Sequence, residues 1–141
     1  MNVCHITSVH PSNDIRIFVK QCSTLISKGV RVTLIATHDI DEIVNGVTIK
    51  ALPKRSSAIT RILLNLPLIF FYTWKNKFDI YHAHDPELIP VLFILKMFGR
   101  TVVYDMHENF PKQLESKNLS SKLKVVIGFI WPKLEYMALR K

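Results

Sequence analysis

Glycine is scarce in this sequence, and no glycine stands in a phosphate-binding pattern. The four glycines, Gly29, Gly46, Gly99 and Gly128, are each solitary. The sequence therefore has neither a GxGxxG turn nor a P-loop, whose closely spaced glycines let backbone amides approach nucleotide phosphates. This absence argues against a Rossmann-like domain that binds a nucleotide independently.

Cysteine is also scarce. The two cysteines, Cys4 and Cys22, lie in apolar stretches and have no partners at metal-ligand spacing, which predicts buried, reduced thiols. A secretory pattern is missing at the amino terminus, because the apolar run after Met1 is broken by His5 and followed by a polar loop. Both absences are typical of a cytoplasmic protein.

Length and charge bound the remaining possibilities. The chain has 141 residues, which suits one domain and leaves no room for two. Its net charge of +8 favours an anionic partner, such as nucleic acid, a phosphorylated ligand or an anionic membrane surface. The basic residues are scattered from Arg16 to Lys141, and no nucleic-acid-binding signature accompanies them. We therefore expect no nucleic-acid partner.

Strand-like and helical patterns alternate along the chain. Strands are predicted at Val3–Thr7, Arg31–Ala36, Val47–Leu52, Asp79–His84 and Thr101–Met106, with an acidic loop containing Asp39, Asp41 and Glu42 before the third. Helices are predicted from Ile15 to a cap at Gly29, over Pro86–Phe98 and over Ser121–Arg140. Such alternation implies parallel strands joined by right-handed crossovers. The predicted fold is a Rossmann-like three-layer α/β/α domain with a mainly parallel sheet in the order 3-2-1-4-5.

The stretch from Ser57 to Lys77 has almost no polar face. Its apolar part, from Ile62 to Trp74, is shorter than the ~20 residues that a membrane-spanning helix needs. A helix that is apolar all round is either buried or contacts lipid or a partner. Burial within the domain is the favoured interpretation. The alternative is contact with an anionic membrane surface, which the flanking arginine and lysine residues would suit.

Polar loops follow three of the predicted strands. In an open parallel sheet, ligands bind beyond the carboxyl ends of the strands, at the point where the strand order reverses. For the predicted order, this point lies between the first and fourth strands. The loop from His10 to Arg16 then faces the loop from His84 to Glu87, and the loop that begins at His107 lies alongside. We expect these loops to form one binding edge.

Several residues of these loops have both a functional and a structural interpretation. Asp14 and Asp85 could bind a ligand or cap the helices that follow them. Arg16 could pair with an anion or with Asp14. His107 could orient a substrate hydroxyl or accept a proton, with Glu108 holding its other ring nitrogen, or it could be tied to the backbone.

A metal site is not predicted. His82 and His84 alternate with Ala83 and therefore face the same side of a strand. The fragment from His82 to Asp85 is similar to the metal-binding HxHxDH signature, but it lacks the later Asp-His pair. Two imidazoles need further partners to ligate a metal ion.

Three segments carry a resemblance to a known family. They are SVHPSNDIRIF at Ser8–Phe18, HAHDPELIP at His82–Pro90 and YDMHE at Tyr104–Glu108, with GVRV at Gly29–Val32 before the second strand. Together they resemble the amino-terminal domain of glycosyltransferase family 4, over essentially the whole chain. Such enzymes have two Rossmann-type domains that face each other across a cleft, the glycosyltransferase-B fold. The amino-terminal domain holds the acceptor, and the carboxy-terminal domain holds the nucleotide sugar.

The resemblance implies roles for the loop residues. His107 matches the family's histidine that reaches the donor sugar, and it is the predicted catalytic residue. The predicted acceptor-binding residues are His10, Asp14, Arg16, His84, Asp85 and Glu108. The glycine pair that many relatives carry after the first strand is absent.

The resemblance also implies a partial enzyme. It covers residues 1–141 as one acceptor-binding domain, and the donor-binding domain has no counterpart in this sequence. The chain is therefore predicted to be the acceptor-binding half of a nucleotide-sugar-dependent glycosyltransferase, acting on a polysaccharide or a lipid-linked glycan. It would be cytoplasmic or peripheral on the inner face of the cell membrane.

Transfer would need a donor-binding domain, for example in a partner chain. No cofactor is expected on this domain alone, and the nucleotide sugar would be the donor substrate. The alternative function is a non-catalytic module that keeps the fold and docks on membranes or scaffolds other enzymes.

Overall fold

The computed structural model describes residues 1–105 together with Lys133 and Tyr136. Within these residues, six strands alternate with three helical segments. The strands are β1 (Asn2–Pro11), β2 (Arg31–Thr37), β3 (Glu42–Val44), β4 (Val47–Leu52), β5 (Ile80–Ala83) and β6 (Val102–Tyr104). The helical segments are α1 (a π-helical turn at Ile15–Cys22, then Ser23–Ser27), α2 (Ala58–Thr60, a π-helical turn at Arg61–Asn65, then Leu66–Lys75) and α3 (a 3₁₀ turn at Pro86–Leu88, then Ile89–Met97).

The strands form one mainly parallel sheet. Their order is β3-β4-β2-β1-β5-β6. β1 pairs in parallel with β2 and β5, β2 with β4, and β5 with β6. When β3 is set aside, this is the predicted order 3-2-1-4-5. The strand order therefore reverses between β1 and β5, as the sequence predicts.

Part of the segment that was predicted as an acidic loop before β4 forms a strand instead. This strand, β3, pairs antiparallel with β4, and Val44 lies opposite Val47. Asn45 and Gly46 make the turn between them, with φ angles of 49° and 82°. A two-residue Asn-Gly turn with positive φ at both positions matches the twist of a hairpin. The sheet therefore gains one antiparallel edge strand beyond the predicted five.

Each face of the sheet packs against different helices. On one face, Ile69 of α2 and Leu92 of α3 belong to the same apolar cluster as Tyr81 of β5. On the other face, Ile17 of α1 belongs to a cluster with Leu34 of β2. Helices thus cover both faces of a central sheet, and the predicted three-layer α/β/α class is confirmed.

The two cysteines lie one in each of these apolar clusters. Cys4 and Cys22 are buried and free. Burial raises the pKa of the Cys22 thiol to about 12 and that of the Cys4 thiol well above its usual value. The predicted buried, reduced thiols are confirmed.

Helix α2 is buried along one side only, so the favoured interpretation of full burial is wrong. Ile69 and Thr73 are buried, whereas Phe71 is 68% exposed and Leu63 is 65% exposed. The exposed apolar residues, here called the apolar face of α2, are Ile59, Ile62, Leu63, Leu64, Leu68, Phe71 and Trp74. Among the described residues, no helix has the length and apolar character needed to cross a membrane.

The predicted helix over Ser121–Arg140 lies outside the described residues, apart from two positions. Lys133 and Tyr136 are helical and exposed. The loop that begins at His107 also lies outside the described residues.

Candidate functional site

The carboxyl ends of β1 and β5 meet at one edge of the sheet. The register between β1 and β2 shifts between Ile6 and Pro11. Beyond Ile6, the chain runs beside the end of β5, because the His84 amide donates a hydrogen bond to the Ile6 carbonyl oxygen at 3.0 Å. The Ser12 amide donates to the Thr37 carbonyl oxygen at 3.1 Å, which ties the loop back to β2. The loops after β1 and β5 are therefore neighbours.

Asp85 links these two loops. Its Oδ2 atom accepts hydrogen bonds from the Thr7 hydroxyl at 2.7 Å, the Ser8 amide at 2.6 Å and the Val9 amide at 3.2 Å. The residue is buried, and a buried carboxylate is tolerated when it is hydrogen-bonded in this way. Its side chain makes no hydrogen bond to the helix that it precedes. The interpretation that Asp85 caps α3 is therefore wrong, because the carboxylate fastens the last part of β1 instead.

His10 stands between two carboxylates. Its Nδ1 atom lies 3.4 Å from Asp14 Oδ2, and its Nε2 atom lies 3.5 Å from Asp85 Oδ1. The His10 side chain is 28% exposed, so solvent and ligands can reach it. Three of the predicted acceptor-binding residues thus form one cluster, here called the His10 cluster.

Asp14 also caps α1. Its Oδ1 atom accepts hydrogen bonds from the amides of Arg16 at 2.9 Å and Ile17 at 2.8 Å, so the predicted N-cap is confirmed. Partial burial opposes the ionisation of Asp14, but the Ile17 hydrogen bond and the nearby His10 outweigh it and lower the pKa. At neutral pH, Asp14 is therefore a carboxylate with Oδ1 on the helix and Oδ2 toward His10.

Glu87 and Arg61 extend the His10 cluster toward α2. The Ser8 hydroxyl donates to Glu87 Oε1 at 2.5 Å, and the Arg61 guanidinium donates to both Glu87 oxygens at 2.9 and 3.2 Å. A bidentate pair of this kind fixes both side chains. The ion pair between Arg61 and Glu87 joins the start of α2 to the edge of the sheet where the His10 cluster lies.

Arg16 belongs to a second cluster, here called the Asp105 cluster. The Arg16 guanidinium and the Gln21 amide group both donate to Asp105 Oδ2 at 3.1 Å. His84 Nδ1 lies 3.3 Å from the same oxygen. The ion pair of Arg16 is thus with Asp105, where the sequence indicated Asp14 or a bound anion.

His84 lies beneath the edge, in a group of three imidazoles. Its side chain is fully buried, and its Nε2 atom lies 2.9 Å from His5 Nδ1. His5 is in register with His82 on the neighbouring strand. Burial, reinforced by neighbouring imidazoles, lowers the pKa of His5 to about 3 and that of His84 to about 2. Both rings are therefore neutral at neutral pH.

The predicted site residues fall into three groups. His10, Asp14 and Asp85 form the His10 cluster, and Arg16 and His84 contact the Asp105 carboxylate. The predicted catalytic residue, His107, and its neighbour Glu108 lie outside the described residues. The residues that the sequence analysis did not assign to the site are His5, Thr7, Ser8, Gln21, Arg61, Glu87 and Asp105.

Some of these unassigned residues lie at strand ends, and this position could have indicated that they belong to the site. Thr7 and Ser8 are the last buried residues of β1, and Asp105 directly follows β6. Arg61 gave no such signal, because it lies 26 positions from Glu87 in the sequence.

This fold is the Rossmann-like α/β fold of domains found in glycosyltransferases. A sucrose-phosphate synthase from Thermosynechococcus elongatus is similar, with a TM-score of 0.64 and 14% identity over 100% of this chain. The glycotransferase of kitacinnamycin is similar, with a TM-score of 0.53 and 13% identity over 96% of this chain. The chain spans 40% of the length of each. No protein-family model and no curated protein matches the sequence.

Proposed function

We propose that this chain is the acceptor-binding half of a nucleotide-sugar-dependent glycosyltransferase that transfers a hexosyl group to a polysaccharide or a lipid-linked glycan. The observation that carries this proposal is the His10 cluster at the end of β1, where the strand order reverses. Ligands of open parallel sheets bind at such a point. The likeness to glycosyltransferase structures supports the same assignment.

The chemistry of the His10 cluster suits a sugar. A sugar hydroxyl both donates and accepts hydrogen bonds. Asp14 offers a carboxylate acceptor, and the partly exposed His10 ring offers an N–H donor. Asp85 and the loop amides that it holds keep His10 in place. By the resemblance to family 4, His107 is the proposed catalytic residue and Glu108 a further acceptor-binding residue.

The apolar face of α2 supports an acceptor at a membrane. Monomeric soluble proteins rarely expose a large contiguous apolar patch unless it contacts a partner or a membrane. The exposed side chains of Lys54, Lys75 and Lys77 flank this face, and positive charge favours anionic headgroups. We therefore propose a cytoplasmic chain that is peripheral on the inner face of the membrane, where a lipid-linked glycan would be presented.

Saturation-transfer NMR with the full chain tests the acceptor site. The ligands are a panel of oligosaccharides and glycolipid headgroups, with nucleotide sugars titrated in parallel. We expect saturation to reach the ring protons of an oligosaccharide and not those of nucleotide sugars. His10→Ala should weaken this binding about tenfold, as the loss of a hydrogen bond of about 1.4 kcal/mol implies.

Arg31→Ala is the control for the binding experiment. Arg31 is the first residue of β2 and therefore lies at the opposite end of the sheet from the His10 cluster. This variant should bind the oligosaccharide as tightly as the unaltered chain. Equal binding by His10→Ala would contradict the proposal. Preferential binding of a nucleotide sugar would instead favour an independent nucleotide-binding domain.

The apolar face of α2 also favours a second candidate function. A non-catalytic module that docks on an anionic membrane or scaffolds other enzymes would need this face and would not need the His10 cluster. The two candidates therefore differ in whether a sugar binds at the edge of the sheet.

A further inference from the structure

The three imidazoles beneath the edge converge on one region. His82 and His84 are two positions apart, and His5 lies beside His82 on the adjacent strand, so all three share one face of the sheet. Their ring centroids are separated by 4.7, 5.2 and 4.5 Å. One nitrogen atom from each ring lies within 4.8 Å of the other two.

Two nitrogen atoms of this group are buried and unpaired. In the part of the chain that the structure describes, His5 Nε2 and His82 Nε2 have no hydrogen-bond partner. A buried polar atom left unpaired costs about 1–3 kcal/mol, and such an atom in a folded protein often marks a place where an ion or water binds. The unpaired His82 Nε2 is thus independent support for a ligand at this position. His5 would bind the ion through Nδ1, the atom that faces His84.

We propose that His5, His82 and His84 bind one divalent transition-metal ion, with Zn²⁺ as the best match, between β1 and β5. Three imidazoles with a fourth position open to water are a known zinc ligand set. Imidazole nitrogen suits Zn²⁺, Cu²⁺ and Ni²⁺, whereas Mg²⁺ and Ca²⁺ prefer oxygen. The inference is independent of sugar binding at the His10 cluster.

Modest ring movements complete the coordination geometry. Zinc–nitrogen bonds of about 2.0–2.1 Å in a tetrahedron place the ligand nitrogens roughly 3.3 Å apart. His5 Nδ1 and His84 Nε2 already lie 2.9 Å apart. His82 is half-buried, and its Nε2 atom makes no hydrogen bond that a rotation of the ring would break.

The Asp105 carboxylate lies where it can hydrogen-bond a histidine that ligates the ion. Histidines that ligate a metal typically donate their second ring N–H to a carboxylate, which fixes the tautomer. His84 Nδ1 lies 3.3 Å from Asp105 Oδ2, which Arg16 and Gln21 hold in turn. With Nδ1 engaged in this way, His84 Nε2 carries a lone pair, which accepts a hydrogen bond from His5 Nδ1 in the metal-free chain. The ion would take this lone pair when the His5 proton moves from Nδ1 to Nε2. The Asp105 carboxylate also places a negative charge beside the ion.

The alternative is a purely structural group. In that case, the hydrogen bond between His5 and His84 simply joins β1 to β5, and metal ions have no effect. Added metal therefore separates the two interpretations.

Calorimetric titration of Zn²⁺ into the full chain, after chelator treatment and dialysis, tests the site. We expect one Zn²⁺ per chain and a rise in the thermal unfolding midpoint when Zn²⁺ is present. His82→Ala should abolish the binding, and Asp105→Asn should weaken it about 10–100-fold, as the loss of an outer-shell partner does. Substitution by Co²⁺ should give the visible absorption of a tetrahedral site, and His82→Ala should remove it.

His38→Ala is the matched control. His38 is also a histidine, but it lies outside the group and contacts Ser12 and Glu42. This variant should bind Zn²⁺ as the unaltered chain does. His82 is substituted in preference to the more buried His5 and His84, and circular dichroism verifies that each variant is folded. The proposal is overturned if the unaltered chain binds no Zn²⁺, if His82→Ala binds it equally well, or if Mg²⁺ binds as tightly.

Discussion

At the scale of single residues, the shape of the site depends on Asp85. Its Oδ2 atom accepts hydrogen bonds from three consecutive residues, Thr7, Ser8 and Val9, and its Oδ1 atom faces His10. The register of β1 with β2 is interrupted between Ile6 and Pro11, so Asp85 replaces the β2 backbone partners that this part of β1 lacks. Asp85 is buried, so its main effect is to hold the His10 cluster in place and not to present its own carboxylate to a ligand.

Asp85→Asn should destabilise the fold. All three hydrogen bonds go to Oδ2, and an amide oxygen in that place carries no full charge, so each of them becomes weaker. The amide NH₂ group then takes the place of Oδ1 opposite His10. We expect the free energy of unfolding to fall by about 2–3 kcal/mol. Urea unfolding monitored by circular dichroism measures this change.

Asp41→Asn is the matched carboxylate-to-amide control. The Asp41 side chain is 54% exposed and pairs with Lys50, and exposed ion pairs contribute little. We expect a loss of less than about 1 kcal/mol. If Asp85→Asn were no more destabilising than this control, Asp85 would not hold the loop.

The two aspartates at the edge show what the sequence can predict at this scale. The capping bonds of Asp14 reach Arg16 and Ile17, two and three positions away, so the cap follows from local preference. The bonds of Asp85 reach residues 76 to 78 positions away. The local sequence around Asp85 fits a helix cap equally well. Asp85 bonds to β1 instead because the fold brings two distant strand ends together.

At the scale of elements, α2 departs most from expectation. Its sequence is apolar on every side, yet the sheet can cover only one side of a helix. Ile69 and Thr73 pack inward, and the apolar face of α2 stays exposed among the described residues. Apolar composition alone could not show which side the domain covers.

Leu63→Asp combined with Phe71→Asp should prevent membrane binding. We expect the unaltered chain to float with phosphatidylglycerol vesicles, and to do so less at high salt because salt screens the lysine charges. Removing two large apolar side chains should cost about 3 kcal/mol or more, roughly a 100-fold loss of affinity. Flotation at several lipid concentrations measures it.

Ile15→Asp combined with Val19→Asp is the control for this experiment. Their side chains are 69% and 53% exposed on α1, which covers the other face of the sheet from α2, so the same two added charges should leave vesicle binding unchanged. Equal loss in both variants would indicate a general effect of charge. Unchanged binding after substitution of Leu63 and Phe71 would remove the membrane from the proposal.

The edge strand β3 is a different kind of departure, because its signal was local. The Asn45–Gly46 pair between two apolar stretches is the usual mark of a tight hairpin. The charges around Asp41 and Glu42 indicated a loop, but charged residues are also common on exposed edge strands. Element order and sheet class therefore followed from periodicity, whereas the edge needed the turn chemistry.

At the scale of the whole molecule, the proposed function gives the chain one wall of a two-domain cleft. The His10 cluster lies at the carboxyl edge, and the sequence has no glycine-rich turn to hold a nucleotide phosphate. The two similar glycosyltransferase structures are longer, and the chain spans 40% of each. These observations together motivate a division of labour in which the donor sugar is held elsewhere.

The chain should accordingly bind an acceptor without transferring sugar by itself, and transfer should begin when a donor-binding domain is supplied. The measurement is the release of nucleoside diphosphate from a nucleotide sugar after the chain, an acceptor glycan and a donor-domain protein are mixed. His107→Ala should lower that rate about 10²–10⁴-fold if His107 exchanges a proton in the reaction, and Arg31→Ala should not. Transfer by the chain alone would contradict the division of labour. Transfer that is insensitive to His107→Ala would leave the division intact and remove the proposed catalytic residue.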